Sequence, residues 1–145
     1  MKRLAFVTIL VLAFAGLAQA EGPKGNITVE LSGFRNDDGR ASVVLFNSAE
    51  AFPKQTDKAV KIVRSSIKDK KATAVFEDIP YGTYAFVVLH DENANGKMDY
   101  NALGMPQEGY AFSNNARAML GPPDYKDAAF TTDKPAVAQN IKIGY

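Results

Sequence analysis

The chain has 145 residues, with 17 Lys and Arg against 16 Asp and Glu, one His and no Cys. A formal charge of +1 gives no basic excess of the kind that marks a nucleic-acid binder, and without cysteine there is no disulfide framework or thiolate metal site. The length suits one domain held by its own core.

Met1-Lys2-Arg3 is a short basic start, Leu4 to Leu17 is apolar and uncharged, and Ala18-Gln19-Ala20 supplies small residues at a cleavage position. That order reads as a secretory signal peptide cleaved after Ala20. A membrane anchor is the alternative, but the apolar run is shorter than the roughly 20 residues a spanning helix needs. Cleavage removes Lys2 and Arg3 and leaves residues 21–145 with a formal charge of about −1. No later run is apolar enough to span, and no cysteine follows to carry a lipid. A periplasmic or secreted protein is expected, with no membrane span after cleavage and no nucleic-acid partner. Its partner would be an envelope or extracellular protein, or a small ligand.

Ile27–Ser32 alternates apolar and polar residues, as a half-buried strand does. Asn36-Asp37-Asp38-Gly39 is turn chemistry, and Ala41–Phe46 follows as a second strand, so the two read as a hairpin. Ser48–Phe52 suits one helical turn capped by Ser48 and stopped by Pro53. Val60–Ile67 and Ala72–Phe76 read as another strand pair around polar Lys68–Lys71. Ile79-Pro80-Tyr81-Gly82 is a turn, and Thr83–His90 is apolar on both faces, as in a central strand. Val137, Ile141 and Ile143 mark a closing strand. Closely spaced strands with no long helical period predict an all-β fold, a single antiparallel sandwich of immunoglobulin or transthyretin type. From about residue 91 to 135 no clear strand is legible. That segment carries Tyr100, Leu103, Met105, Tyr110, Phe112, Met119 and Leu120, too many apolar groups for disorder. It is expected to fold over one end of the sandwich.

Asp91-Glu92-Asn93-Ala94-Asn95-Gly96-Lys97-Met98-Asp99 matches the first part of a calcium loop, D-x-[DN]-x-[DN]-G. Oxygens at alternate positions curl around a hard cation, and glycine at the sixth permits the sharp turn. Asp91, Asn93 and Asn95 are the side-chain candidates, Lys97 would offer its carbonyl, and Asp99 would act directly or through water. The twelfth position, where a bidentate Glu completes the pattern, is Ala102. Glu92, Asn101 and Glu108 are the nearby oxygens that could fill the shell. A Ca²⁺ site so built is weak, on the order of 10⁻⁴–10⁻³ M. The competing reading is a metal-free turn, since Asn-Gly and Asx side chains stabilise turns alone.

His90 and Asp91 are adjacent, but strand neighbours point to opposite faces and cannot orient each other as a triad requires. His90 reads instead as a strand-end histidine satisfied by backbone or water. Ser113-Asn114-Asn115-Ala116-Arg117 follows Tyr110-Ala111-Phe112. Tyr110, Phe112, Asn114, Asn115 and Arg117 could line a site for an anionic or carbonyl-bearing ligand. The plainer alternative has the asparagines pinning loop backbone and Arg117 meeting an acid. No G-x-S-x-G, phosphate-cradling loop or H-E-x-x-H motif occurs, so no catalytic residues are assigned.

The strings Ala74–Tyr84, Leu89–Asp99, Gly104–Ala116 and Asp127–Phe130 together resemble a bacterial exported family, domain of unknown function 2141. The resemblance runs from about Ile27 to Ile143 and implies an export-associated β-sandwich without an assigned activity. Pro80, Gly82 and Tyr84 also resemble the Pro-x-Gly-x-Tyr turn of transthyretin-like and carboxypeptidase-regulatory sandwiches. The hydroxyisourate hydrolases of that group need several histidines and a Tyr-Arg-Gly-Ser ending. This chain has one His and ends Ile143-Gly144-Tyr145, which does not fit.

The leading expectation is an exported, non-enzymatic module whose calcium-type loop orders the 100–130 segment into a binding surface. Its rivals are a small-molecule binder or hydrolase using the aromatic, Asn and Arg segment, and a purely structural envelope protein.

Overall fold

The computed structural model describes residues 21–145; the signal peptide read over residues 1–20 lies outside them. The strands are β1 (Lys24–Ser32), β2 (Arg40–Phe46), β3 (Lys61–Ser65), β4 (Lys71–Pro80), β5 (Gly82–Asp91), β6 (Tyr110–Phe112), β7 (Phe130–Thr132) and β8 (Ala136–Lys142). One short helix, α1, spans Tyr125–Ala128. The strands form a sandwich of two sheets, one ordered β4-β1-β8 and the other β3-β2-β5-β6, with β7 also on β5.

The all-β sandwich read from periodicity is what forms, but the neighbours differ from those expected. β1 and β2 are no hairpin: β1 pairs with β4 and β8, while β2 pairs with β3 and β5. Nor do β3 and β4 form a ladder, because the turn at Lys68–Lys71 carries the chain from one sheet to the other. The cause is the sandwich itself, in which consecutive apolar faces are buried across the core rather than side by side. One pairing is parallel, β1 with β8, where Ile27 lies opposite Val137 and Leu31 opposite Ile141.

The core between the sheets takes the alternate residues Ile27, Val29 and Leu31 of β1, Ala74 and Phe76 of β4, and Val43 and Leu45 of β2. Phe86 and Val88 of β5 complete it with Phe34, Ile141 and Ile143. A second cluster on the outer face of the larger sheet joins Val44, Phe46, Phe52, Ala85, Phe112 and Ala128. β2 and β5 are thus buried on both faces, which accounts for their uninterrupted apolar runs. Ser48 caps the expected turn, its hydroxyl accepting the Ala51 N–H at 3.3 Å and its carbonyl the Phe52 N–H at 3.2 Å. The turn positions Phe52 over that outer face.

The segment from 91 to 135 is less irregular than its sequence suggested, since it contributes β6, α1 and β7. These pieces are too short for periodicity to reveal. β6 covers Val87–Leu89 of β5 and β7 covers Gly82–Tyr84. Between them the Ser113 hydroxyl accepts the Phe86 N–H at 3.0 Å and donates to the Ala128 carbonyl at 2.6 Å. At the corner between β4 and β5, the Tyr84 hydroxyl donates to the Pro80 carbonyl at 2.8 Å, which is the work of the Pro-x-Gly-x-Tyr pattern.

Candidate functional site

Asp91 ends β5 opposite Arg40, the first residue of β2, and its side chain is buried. One carboxylate oxygen accepts the Asn95 N–H at 2.9 Å; the other accepts the Gly96 N–H at 2.9 Å and Arg40 Nε at 3.1 Å. The Asn93 Oδ1 also accepts the Asn95 N–H, and Asn95 Oδ1 accepts the Lys97 N–H. Loop residues 91–97 therefore curl around their own side chains, each of which keeps at least one lone pair free.

The side chains at positions one, three, five and nine of the loop belong to one network. Asp99 receives Asn93 Nδ2 at 2.6 Å and Asn95 Nδ2 at 2.9 Å. Those amide protons supply the partial positive charge that a cation would bring. The donor set of two carboxylates, two amides and the Lys97 carbonyl fits a hard, oxygen-seeking ion. It does not fit a softer metal, and no cluster of three or more His, Cys, Asp or Glu placed to hold a metal occurs among the described residues.

Of the nearby oxygens, Glu108 is the one that joins the loop. It is buried, and its two oxygens accept the N–H groups of Glu92 at 2.9 Å and Asp99 at 3.2 Å, at either end of the loop. Asn101 turns away to cap its own turn, accepting from Leu103 and Met105. Glu92 pairs with Arg35 through bonds of 2.6 and 2.9 Å. That guanidinium holds the Glu92 carboxyl below the usual glutamate range, against the opposing effect of burial.

His90 lies at the end of β5 and meets a backbone carbonyl, as expected of it. It is fully buried and packs edge-on against Phe34. Its Nε2 lies 2.9 Å from the Asp38 carbonyl, which can only accept, so Nε2 carries a proton. Nδ1 lies 2.6 Å from the Tyr145 hydroxyl and 3.5 Å from a Glu92 carboxylate oxygen, and that hydroxyl oxygen accepts the Arg35 N–H at 3.0 Å. The Arg35 guanidinium lies 4.8 Å from the centroid of the Tyr145 ring. Burial raises the Tyr145 hydroxyl above the usual phenol range. His90 thus ties Tyr145 to the Asn36–Gly39 turn, with both ring nitrogens in use.

A pocket of about 150 Å³ opens beside β6, lined among others by Tyr110, Phe112, Asn115, Arg117, Lys142 and Tyr145. Four of the five residues proposed for a ligand site meet there, and Asn114 does not. Asn114 sits at φ 60° and donates its amide to the Ala129 carbonyl at 2.8 Å, while its Oδ1 accepts from Gln139. Asn115 lines the pocket, yet its amide is engaged by β8, donating to the Asn140 carbonyl and accepting the Lys142 N–H. Both asparagines therefore hold backbone, and Arg117, exposed as they are, is the proposed polar residue whose side chain makes no hydrogen bond or ion pair among the described residues. Sequence reading missed Arg40, Lys142 and Tyr145 as neighbours of these sites. Arg40 arrives through the pairing of β2 with β5, and Lys142 and Tyr145 flank the bridge between Tyr110 and Gly144; a single sequence carries no local signal for contacts of such separation.

Fold and site together define an all-β sandwich with an Asx-rich, oxygen-lined loop at the end of its central strand. Residues 29–140 match the family described as an uncharacterized protein conserved in bacteria (DUF2141), and the chain belongs to it. No curated protein and no solved structure matches the chain. Among the described residues, no helix is long and apolar enough to cross a membrane.

Proposed function

We propose that this is an exported, non-enzymatic β-sandwich module that binds Ca²⁺ weakly through Asp91, Asn93, Asn95, the Lys97 carbonyl and Asp99. The ion would fasten the following segment into a binding surface. The observation that supports the reading is that Asp91, Asn93, Asn95 and Asp99 share one hydrogen-bonded loop, in which the amide N–H groups of Asn93 and Asn95 occupy the Asp99 carboxylate that an ion would take over. Glu108 extends it, because the same acid holds both ends of the loop and fixes the start of β6 two residues later. A loop disordered in the unfolded chain has little affinity, so ion binding adds to stability by linkage.

The test is thermal unfolding of residues 21–145 with CaCl₂, MgCl₂ or EGTA. At calcium about tenfold above Kd, linkage predicts a gain of about 1.4 kcal/mol, a rise of several degrees in Tm. The rise is specific to calcium and absent in Asp99→Ala, whose side chain contacts only the loop. Identical melting in all three conditions would leave a metal-free Asx turn and favour the purely structural reading. The ligand-pocket reading is weaker, because both asparagines proposed for it already bond backbone.

A further inference from the structure

The segment Arg117–Pro123 runs along the rim of the pocket beside β6. Ala118, Gly121 and Pro123 line that pocket, while Met119 and Leu120 between them are 98% and 90% exposed. A single exposed leucine is ordinary on a protein surface. Two adjacent large apolar side chains almost wholly in water, at the tip of a turn, are not. Gly121 takes φ +75° there, and Pro122-Pro123 stiffens the exit, so the backbone holds the pair outward. Neither side chain belongs to an apolar cluster of the fold.

The charged residues that line the pocket have one sign. Arg117 and Lys142 line the pocket, no Asp or Glu lines it, and neither cation forms an ion pair with an acid among the described residues. The nearest acid along the chain, Asp124, faces Lys126 at 3.8 Å. Tyr110 and Tyr145 add amphipathic rings to the same rim.

From these features we infer that the Met119–Leu120 tip and the Arg117–Lys142 pocket form a docking surface for an anionic phospholipid membrane. The tip enters the boundary between headgroups and acyl chains, and the two cations meet phosphate groups of the surrounding lipids. Apolar side chains flanked by cations and aromatic rings are the combination that favours an interface over water. With two apolar residues and two cations the attachment is weak and reversible. It is independent of the calcium loop.

The test is co-sedimentation of residues 21–145, which contain every strand and apolar cluster described above, with vesicles in EGTA. Vesicles of phosphatidylcholine mixed with phosphatidylglycerol are compared with phosphatidylcholine alone. Binding is expected to the anionic vesicles only, and to weaken as salt is raised. The double variant Met119→Ser, Leu120→Ser should reduce partition by more than about tenfold. Arg117→Gln should reduce it about fivefold. All these residues are exposed, so the variants should melt as the parent does. Equal partition onto neutral vesicles, or partition untouched by the tip variant, overturns the proposal. Binding of glycerol phosphate in solution without vesicle binding assigns the pocket to a free anion and also overturns it. So does concentration-dependent dimerisation abolished by the tip variant, which would make a second copy the occupant.

Discussion

Gly39 sits at φ +63°, where an added Cβ would lie 1.9 Å from the Asp91 carbonyl oxygen and 2.6 Å from that of Glu92. Its turn chemistry is legible in sequence, but its reason is not, because the contact joins segments some fifty residues apart. Gly39→Ala should therefore destabilise by more than about 2 kcal/mol, measured by urea unfolding, since strain and clash act together. Arg40 poses a sharper question. If Asp91 is a calcium ligand, Arg40→Gln removes a competing charge 3.1 Å away and raises calcium affinity while lowering Tm in EGTA. If Asp91 only caps the loop, titration calorimetry finds no gain in affinity. Arg35 gives a pH signature. It lowers the folded-state pKa of Glu92, so its contribution is present above the unfolded glutamate value and is lost as pH falls through the folded one. Arg35→Ala should cost stability near neutral pH, and the gap from the parent should narrow as pH falls below the unfolded glutamate value of about 4.3, leaving the contacts with Tyr145 and the Gln107 carbonyl as the remainder.

Among the elements, β5 shows best what local pattern can and cannot convey. Its two-sided burial follows directly from an unbroken apolar run, and the single turn at Ser48–Phe52 from a cap and a proline. The partners on its edge do not follow, because β6 and β7 hold three residues each. Ser113 is the element that makes this divided edge work, filling with a hydroxyl the place where neither strand reaches Phe86. Read in sequence as part of a polar cluster, it is fully buried. Ser113→Ala would leave the Phe86 N–H and the Ala128 carbonyl without their partner and should cost about 2 kcal/mol. Hydrogen exchange should then quicken at Phe86 while the amides of β1 stay protected. The calcium-type loop lies at the opposite extreme. Its candidate pattern is local, so every residue within Asp91–Asp99 could be named from spacing; Glu108 was named beside Glu92 and Asn101 and only the fold singles it out, and Arg40 needed the fold altogether.

For the molecule as a whole, the sandwich class was legible and the topology was not. Alternation identifies which face of a strand is buried, and says nothing of which strand lies beside it. The parallel pairing of β1 with β8 is the clearest case, since the two are separated by every other strand. It places β1 in the middle of its sheet, with β4 on one side and β8 on the other. The order of events in folding follows from that placement. A chain emerging from its N-terminal end has β1 first, but β1 keeps an open edge until β8 arrives. Contacts of such separation make folding slow relative to local topologies. The smaller sheet therefore cannot be completed on a partly made chain, because its third strand is the last in sequence. Under the export proposed above, a chain that crosses a membrane before folding would gain from that delay, the consequence of where its final strand lies.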